Sequence, residues 1–115
     1  MKILLCATLF VSGSLFFADC ASAKKSVSSV PSVTYVSNIQ QLVVANCSPY
    51  HFPASGGKKL ALDNVDSAST HIDDIIARIE KHPGEKGFMP MKRSRLSDSN
   101  INVFRQWKTD GLKTI

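Results

Sequence analysis

Three soft donors stand out in this chain by type and spacing. Cys47 lies four residues before His51, in Cys47-Ser48-Pro49-Tyr50-His51, and a Met89-Pro90 pair follows later in the chain. A thiol and an imidazole suit transition metals, and a thioether sulfur is a weaker, softer donor. Cys47 and His51 alone fall short of the four ligands of a structural zinc site. Met91 competes with Met89 across Pro90, and only one of the two can point at a given metal. His71 and His82 read as structural or surface residues, one near the start of a helix and one at its end, where a cation is favoured.

These residues need elements to carry them. A first helix starts at Ser37 or Asn38, either of which can cap it. Ile39, Leu42 and Val43 share one face of it, and the pattern runs to Cys47, where Pro49 stops the helix. His51 to Val65 reads as a loop, with Pro53 and the Gly56-Gly57-Lys58-Lys59 turn. The second helix carries Ile72, Ile75, Ile76 and Ile79 at i, i+3, i+4 and i+7. Asp73 and Asp74 fall in its first turn, Lys81 and His82 in its last, and Pro83-Gly84 ends it. A second loop, Glu85 to Arg95, holds Gly87-Phe88-Met89-Pro90-Met91. The third helix opens at Leu96-Ser97-Asp98, with Ser97 as cap and Leu96 stapled to Ile101. Ile101, Phe104 and Trp107 line one side of it, and Gly111 stops it. No strand pattern exceeds Val33 to Val36. The reading is all-α: a small domain of three main helices over 35–115, with ligand-bearing loops between them.

The chain has 115 residues, 43% of them hydrophobic and 20% charged, which suits one small domain and neither a disordered chain nor a multi-span membrane protein. Its net charge is +5, without the dense basic runs of a nucleic-acid tail. Lys2, an apolar stretch from Ile3 to Ala18, and Ala21-Ser22-Ala23 read as a secretory signal peptide over 1–23, cleaved after Ala23. The apolar stretch is short for a membrane span. Cys20 raises the alternative of a lipoprotein cysteine, and Asp19 before it argues against that. Residues 24–34 read as a flexible leader. The expected location is periplasmic or otherwise exported, which excludes nucleic-acid partners. Cys6 and Cys20 leave with the signal peptide, so Cys47 has no internal disulfide partner. A small exported domain without one either packs unaided or has another brace: a cofactor, a metal or a partner chain.

The Cys47–His51 spacing is that of the C-x-x-C-H haem-attachment motif with Tyr50 where the second cysteine would stand. With Met89-Pro90 following in order, and helices between and after, the layout resembles small cytochromes c. The segments NC-x-x-x-HFP, HIDDIIARI, PGEKGFMP and RLSD are similar to a subgroup of bacterial exported monohaem cytochromes c, over roughly Val33 to Leu112. The resemblance implies a haem c whose iron is bound by His51 on the proximal side and Met89 on the distal side. It also implies a thioether through Cys47 only, with Tyr50 beside the cofactor in place of the second sulfur.

Single attachment ranks ahead of non-covalent haem or an apo-protein, because an idle thiol beside haem would be reactive. Ile72, Ile75, Ile76, Ile79, Phe88, Leu96 and Trp107 are the candidate lining. Lys58, Lys59, Lys86, Lys92, Arg93 and Arg95 would ring the haem edge and steer acidic redox partners. The function so implied is electron transfer by a monomer, not enzymatic catalysis. The alternatives are a haem-based gas or redox sensor, with Met89 as a loose ligand, and a haem-free interaction domain that keeps the fold. A soft-metal site on Cys47 and His51 ranks last.

Overall fold

A computed structural model describes residues 30–115. The signal peptide expected over 1–23, with Cys6 and Cys20, lies outside the described residues, as does most of the 24–34 leader. Among the described residues the chain is helical, with no strand and no helix long and apolar enough to cross a membrane.

A π-helical turn, Tyr35–Ile39, leads straight into α1, Gln40–Cys47. The cap is Thr34, not Ser37 or Asn38. Thr34 Oγ1 accepts from the Ser37 N–H at 3.3 Å, and the Asn38 side-chain oxygen accepts from the Thr34 N–H at 3.0 Å. This is the reciprocal logic of a capping box. The return residue comes one place later than usual because the π turn is wider than an α turn. Ile39 and Val43 are fully buried, and Cys47 follows at the same four-residue step, so the thiol sits on the inward face.

The second helix of the sequence reading is preceded by a shorter one that the reading did not include. This six-residue α2, Val65–Thr70, begins where the expected loop ended, and α3 spans Ile72–Ile79. Asn64 caps α2 by accepting from the Ser67 N–H at 2.9 Å. His71, at φ −107° and ψ 16°, breaks the helical path between them. Its backbone N–H and its Nδ1 both meet the Ser67 carbonyl. Asp73 and Asp74 do fall in the first turn of α3, but the helix ends before Lys81 and His82.

α4, Asp98–Thr109, follows its sequence reading closely. Ser97 Oγ accepts from the Asn100 N–H at 3.2 Å, and Leu96 and Ile101 are both buried. The helix ends in a Schellman motif. The Gly111 N–H reaches the Lys108 carbonyl at 3.2 Å and the Leu112 N–H reaches that of Trp107 at 2.9 Å. Gly111 adopts φ 88°, which its missing Cβ permits.

α4 packs against α3 on one side and against the π turn on the other. Trp107 is fully buried between them, its ring 5.7 Å from that of Tyr35 and tilted by 46°. The indole N–H donates to the Lys113 carbonyl at 2.9 Å. That carbonyl also accepts from the Tyr35 N–H at 2.8 Å, and Val36 N–H bonds Thr114 at 3.0 Å. The Val33 N–H is held by the Asp110 carboxylate at 2.7 Å. The start and the end of the described chain are thereby laced together.

Candidate functional site

α1 delivers Cys47 inward and then ends, because Ser48 must be extended ahead of Pro49. The His51 N–H still bonds the Cys47 carbonyl at 3.1 Å, so the chain turns once more and keeps the imidazole near the thiol. His51 Nδ1 lies 2.6 Å from the Leu60 carbonyl oxygen. A carbonyl can only accept, so Nδ1 carries a proton, and in the neutral tautomer Nε2 is the nitrogen with the lone pair. A neutral imidazole with one nitrogen tied back in this way is the form that ligates a metal.

The loop that supplies Leu60 is held against the His51 segment by backbone bonds. Gly57 N–H bonds Phe52 at 2.9 Å, Lys59 N–H bonds Tyr50 at 3.1 Å, and Leu62 N–H bonds His51 at 2.9 Å. Gly57 makes the approach feasible. A Cβ there would stand 2.3 Å from the Pro49 oxygen and 2.6 Å from that of Tyr50.

From the other side, the Met89 N–H donates to the Arg78 carbonyl at 3.2 Å, tying its loop to the end of α3, and Pro90 is buried. Cys47, His51, Met89 and Met91 border one cleft, in two adjoining lobes of about 50 and 320 Å³. The larger lobe reaches the lower end of the range of small-ligand sites. Ile75, Ile79, Leu96 and Phe104 wall the first lobe, which is almost wholly apolar. Tyr50, half exposed, stands at its edge, and Lys59 reaches both lobes. Met89 is partly buried, whereas Met91 is 48% exposed at the mouth.

The structure therefore gathers Cys47, Tyr50, His51 and Met89 around one hollow. His71 and His82 do not border it. Of the expected lining, Ile75, Ile79 and Leu96 face the cleft; Ile72, Ile76 and Trp107 do not, and Phe88 borders a separate hollow behind Met89. α4 instead contributes Phe104, one turn before Trp107, because its far end is covered by Tyr35. The Leu60 carbonyl, which orients His51, carries no side-chain signature and was invisible in the sequence.

Burial pushes the Cys47 thiol up to about 11, against a weaker downward pull from the nearby Arg93 guanidinium. At neutral pH the sulfur is protonated and a poor nucleophile, so the argument that an idle thiol here would be reactive loses its force. The expected ring of cations also thins. The Arg93 guanidinium is engaged with the carbonyls of Ala45 and Ser48, and that of Arg95 with Asp98 at 2.8 Å. Lys58, Lys59, Lys86 and Lys92 form no ion pair among the described residues.

Among the described residues, no three His, Cys, Asp or Glu side chains converge as a metal site of their own. The donors at the cleft are instead an imidazole with a free Nε2, thioether sulfurs and a thiol, set in apolar walls. That set fits haem, whose porphyrin supplies the remaining ligands of its iron. Compared with protein-family models, curated proteins and solved structures, the chain matches none.

Proposed function

We propose that this chain is an exported haem-binding electron-transfer protein of the cytochrome c kind, not an enzyme. His51 and Met89 would hold the iron, and Cys47 would be the single tether. The observation that carries the reading is the His51 ring. Its Nδ1 proton is committed to the Leu60 carbonyl, which leaves Nε2 free in a cleft that Met89 and Cys47 also border.

When bound, haem supplies a reversible one-electron change at its iron. The chain does the rest. The Leu60 carbonyl fixes the tautomer and orientation of His51. Met89, a weak soft donor anchored by its own N–H, would be the second protein ligand. Ile75, Ile79, Leu96 and Phe104 keep water from the buried side. Tyr50 occupies the place of a second tether and offers no thiol. Lys58, Lys59, Lys86 and Lys92 give the surface a positive bias toward acidic redox partners.

The test is the mass and visible spectrum of protein exported from a host with haem-attachment machinery. One added haem, a reduced low-spin spectrum between those of b- and c-type haem, and colour that survives acid–acetone support a single thioether. Colourless protein of unmodified mass overturns the reading. Rapid carbon monoxide binding to the reduced form at neutral pH would instead mark a gas sensor with a loose Met89.

A second reading is favoured by the packing around Trp107. Trp107, Ile39, Val43, Ile101 and Phe104 are buried without help from any cofactor. A haem-free interaction domain is the function that packing would permit. Equal, cooperative unfolding of the parent and a Cys47→Ser, His51→Ala variant, both without haem, would favour it.

A further inference from the structure

Arg93, read from the sequence as a surface cation, is exposed, and its guanidinium also turns back onto the chain. One terminal nitrogen donates to the Ala45 carbonyl at 2.7 Å and the other to the Ser48 carbonyl at 3.0 Å. Both acceptors lie at the end of α1, where the last carbonyls have no intrahelical donor. The Cys47 carbonyl between them is already taken by His51 N–H. Arg93 thus supplies the missing donors from more than forty residues away in sequence.

The turn that aims this side chain is specific. The Arg93 N–H folds back onto the Pro90 carbonyl at 3.2 Å, and Lys92 takes φ 62°, a left-handed conformation uncommon for a residue with a Cβ. No carboxylate pairs with Arg93 among the described residues. The side chain spans from the loop of Met89 to the residue that follows Cys47. The planar fork suits two carbonyls at once, which a lysine ammonium at the end of a flexible stem cannot reproduce.

We propose that Arg93 is a positioning residue that clasps the Met89 loop to the Cys47–His51 segment and so holds His51 and Met89 at a set span. Its effect on iron ligation rests on the haem reading above; the clasp is a property of the chain alone. Without it, the Met89 loop would keep its ties to the α3 end, Met89 to Arg78 and Arg95 to Glu80, and the burial of Pro90, but none to the Cys47–His51 segment. Met89 would then leave the iron more readily.

The experiment compares the parent with Arg93→Met, which keeps most of the stem, and Arg93→Lys, which keeps the charge. In haem-free protein, amide exchange is followed over residues 45–52, 88–93 and 98–109. Arg93→Met is expected to speed exchange in the first two segments together, by about tenfold or more, and to leave α4 unchanged. Arg93→Lys falls between. In haem-loaded protein, Arg93→Met weakens the ferric sulfur-to-iron charge-transfer band and speeds carbon monoxide binding to the reduced form, and Arg93→Lys restores both in part. Unchanged exchange in the two loops, or an equal rise in α4, overturns the clasp. An unchanged band and carbon monoxide rate overturn its effect on ligation. If the parent takes up no haem, the haem reading fails, while the exchange experiment still decides the clasp.

Discussion

Around Trp107 the domain is closed on itself; around Met89 it is open. The Trp107 side has an aromatic pair, an indole N–H with a carbonyl partner and two chain segments bonded to each other. The Met89 side has donor atoms on apolar walls, with backbone bonds placing His51 and Met89 rather than filling the space between them. Phe104 belongs to both, buried in the core and bordering the cleft. The difference separates two jobs. One region supplies folding free energy by burial, and the other spends part of it to hold a hollow open.

The largest effect should come from the closed side. Trp107→Ala should cost about 3–5 kcal/mol by loss of burial and creation of a cavity. It should do so whether or not haem is present, as read from denaturant unfolding.

Cys47→Ser tests the open side. The thiol's pKa rises from 9.0 unfolded to about 11 folded. Between those values the unfolded chain sheds its proton first, so stability is fully present below about pH 9 and declines toward pH 11. The loss should reach about 2–3 kcal/mol in haem-free protein. Cys47→Ser should flatten that alkaline limb, and a thioether at Cys47 should abolish it too, since no thiol remains to titrate. A limb that persists in Cys47→Ser would show that another group controls it.

Gly57→Ala should cost about 1–3 kcal/mol by forcing its loop away from the Pro49 and Tyr50 carbonyls. It should also loosen the Leu60 hold on His51, so haem affinity should fall further than stability does. The smallest effect belongs to Met91. Met91→Ala should leave the ferric sulfur-to-iron band in place, and Met89→Ala should remove it. The reverse pattern would exchange their roles.

The sequence disclosed elements and donors unevenly, for physical reasons. α3 and α4 were readable because four isoleucines keep helical spacing in one and a serine cap with its staple opens the other. α2 was not, because Val-Asp-Ser-Ala-Ser-Thr is short and buries only Ala68. The cap of α1 was misplaced because a π turn shifts the usual spacing. At the site, Cys47, His51 and Met89 were legible as chemistry, since thiol, imidazole and thioether are rare and specific. What orients them was not: Leu60 acts through its backbone, and Arg93 looks like any exposed cation until its two carbonyl partners are seen.

The lacing of Tyr35 and Val36 to Lys113 and Thr114 gives the domain a nearly circular path. Trimming the last three residues would strip a carbonyl that serves both Tyr35 and the indole, so that short tail is a structural seam, not a dispensable end. Residues 33–36 and 110–114 lie side by side, which is what a circular permutation of the described domain requires. Joining them by a brief linker and cutting in the exposed 83–86 stretch would leave the closed region intact and place the new ends beside the Met89 loop.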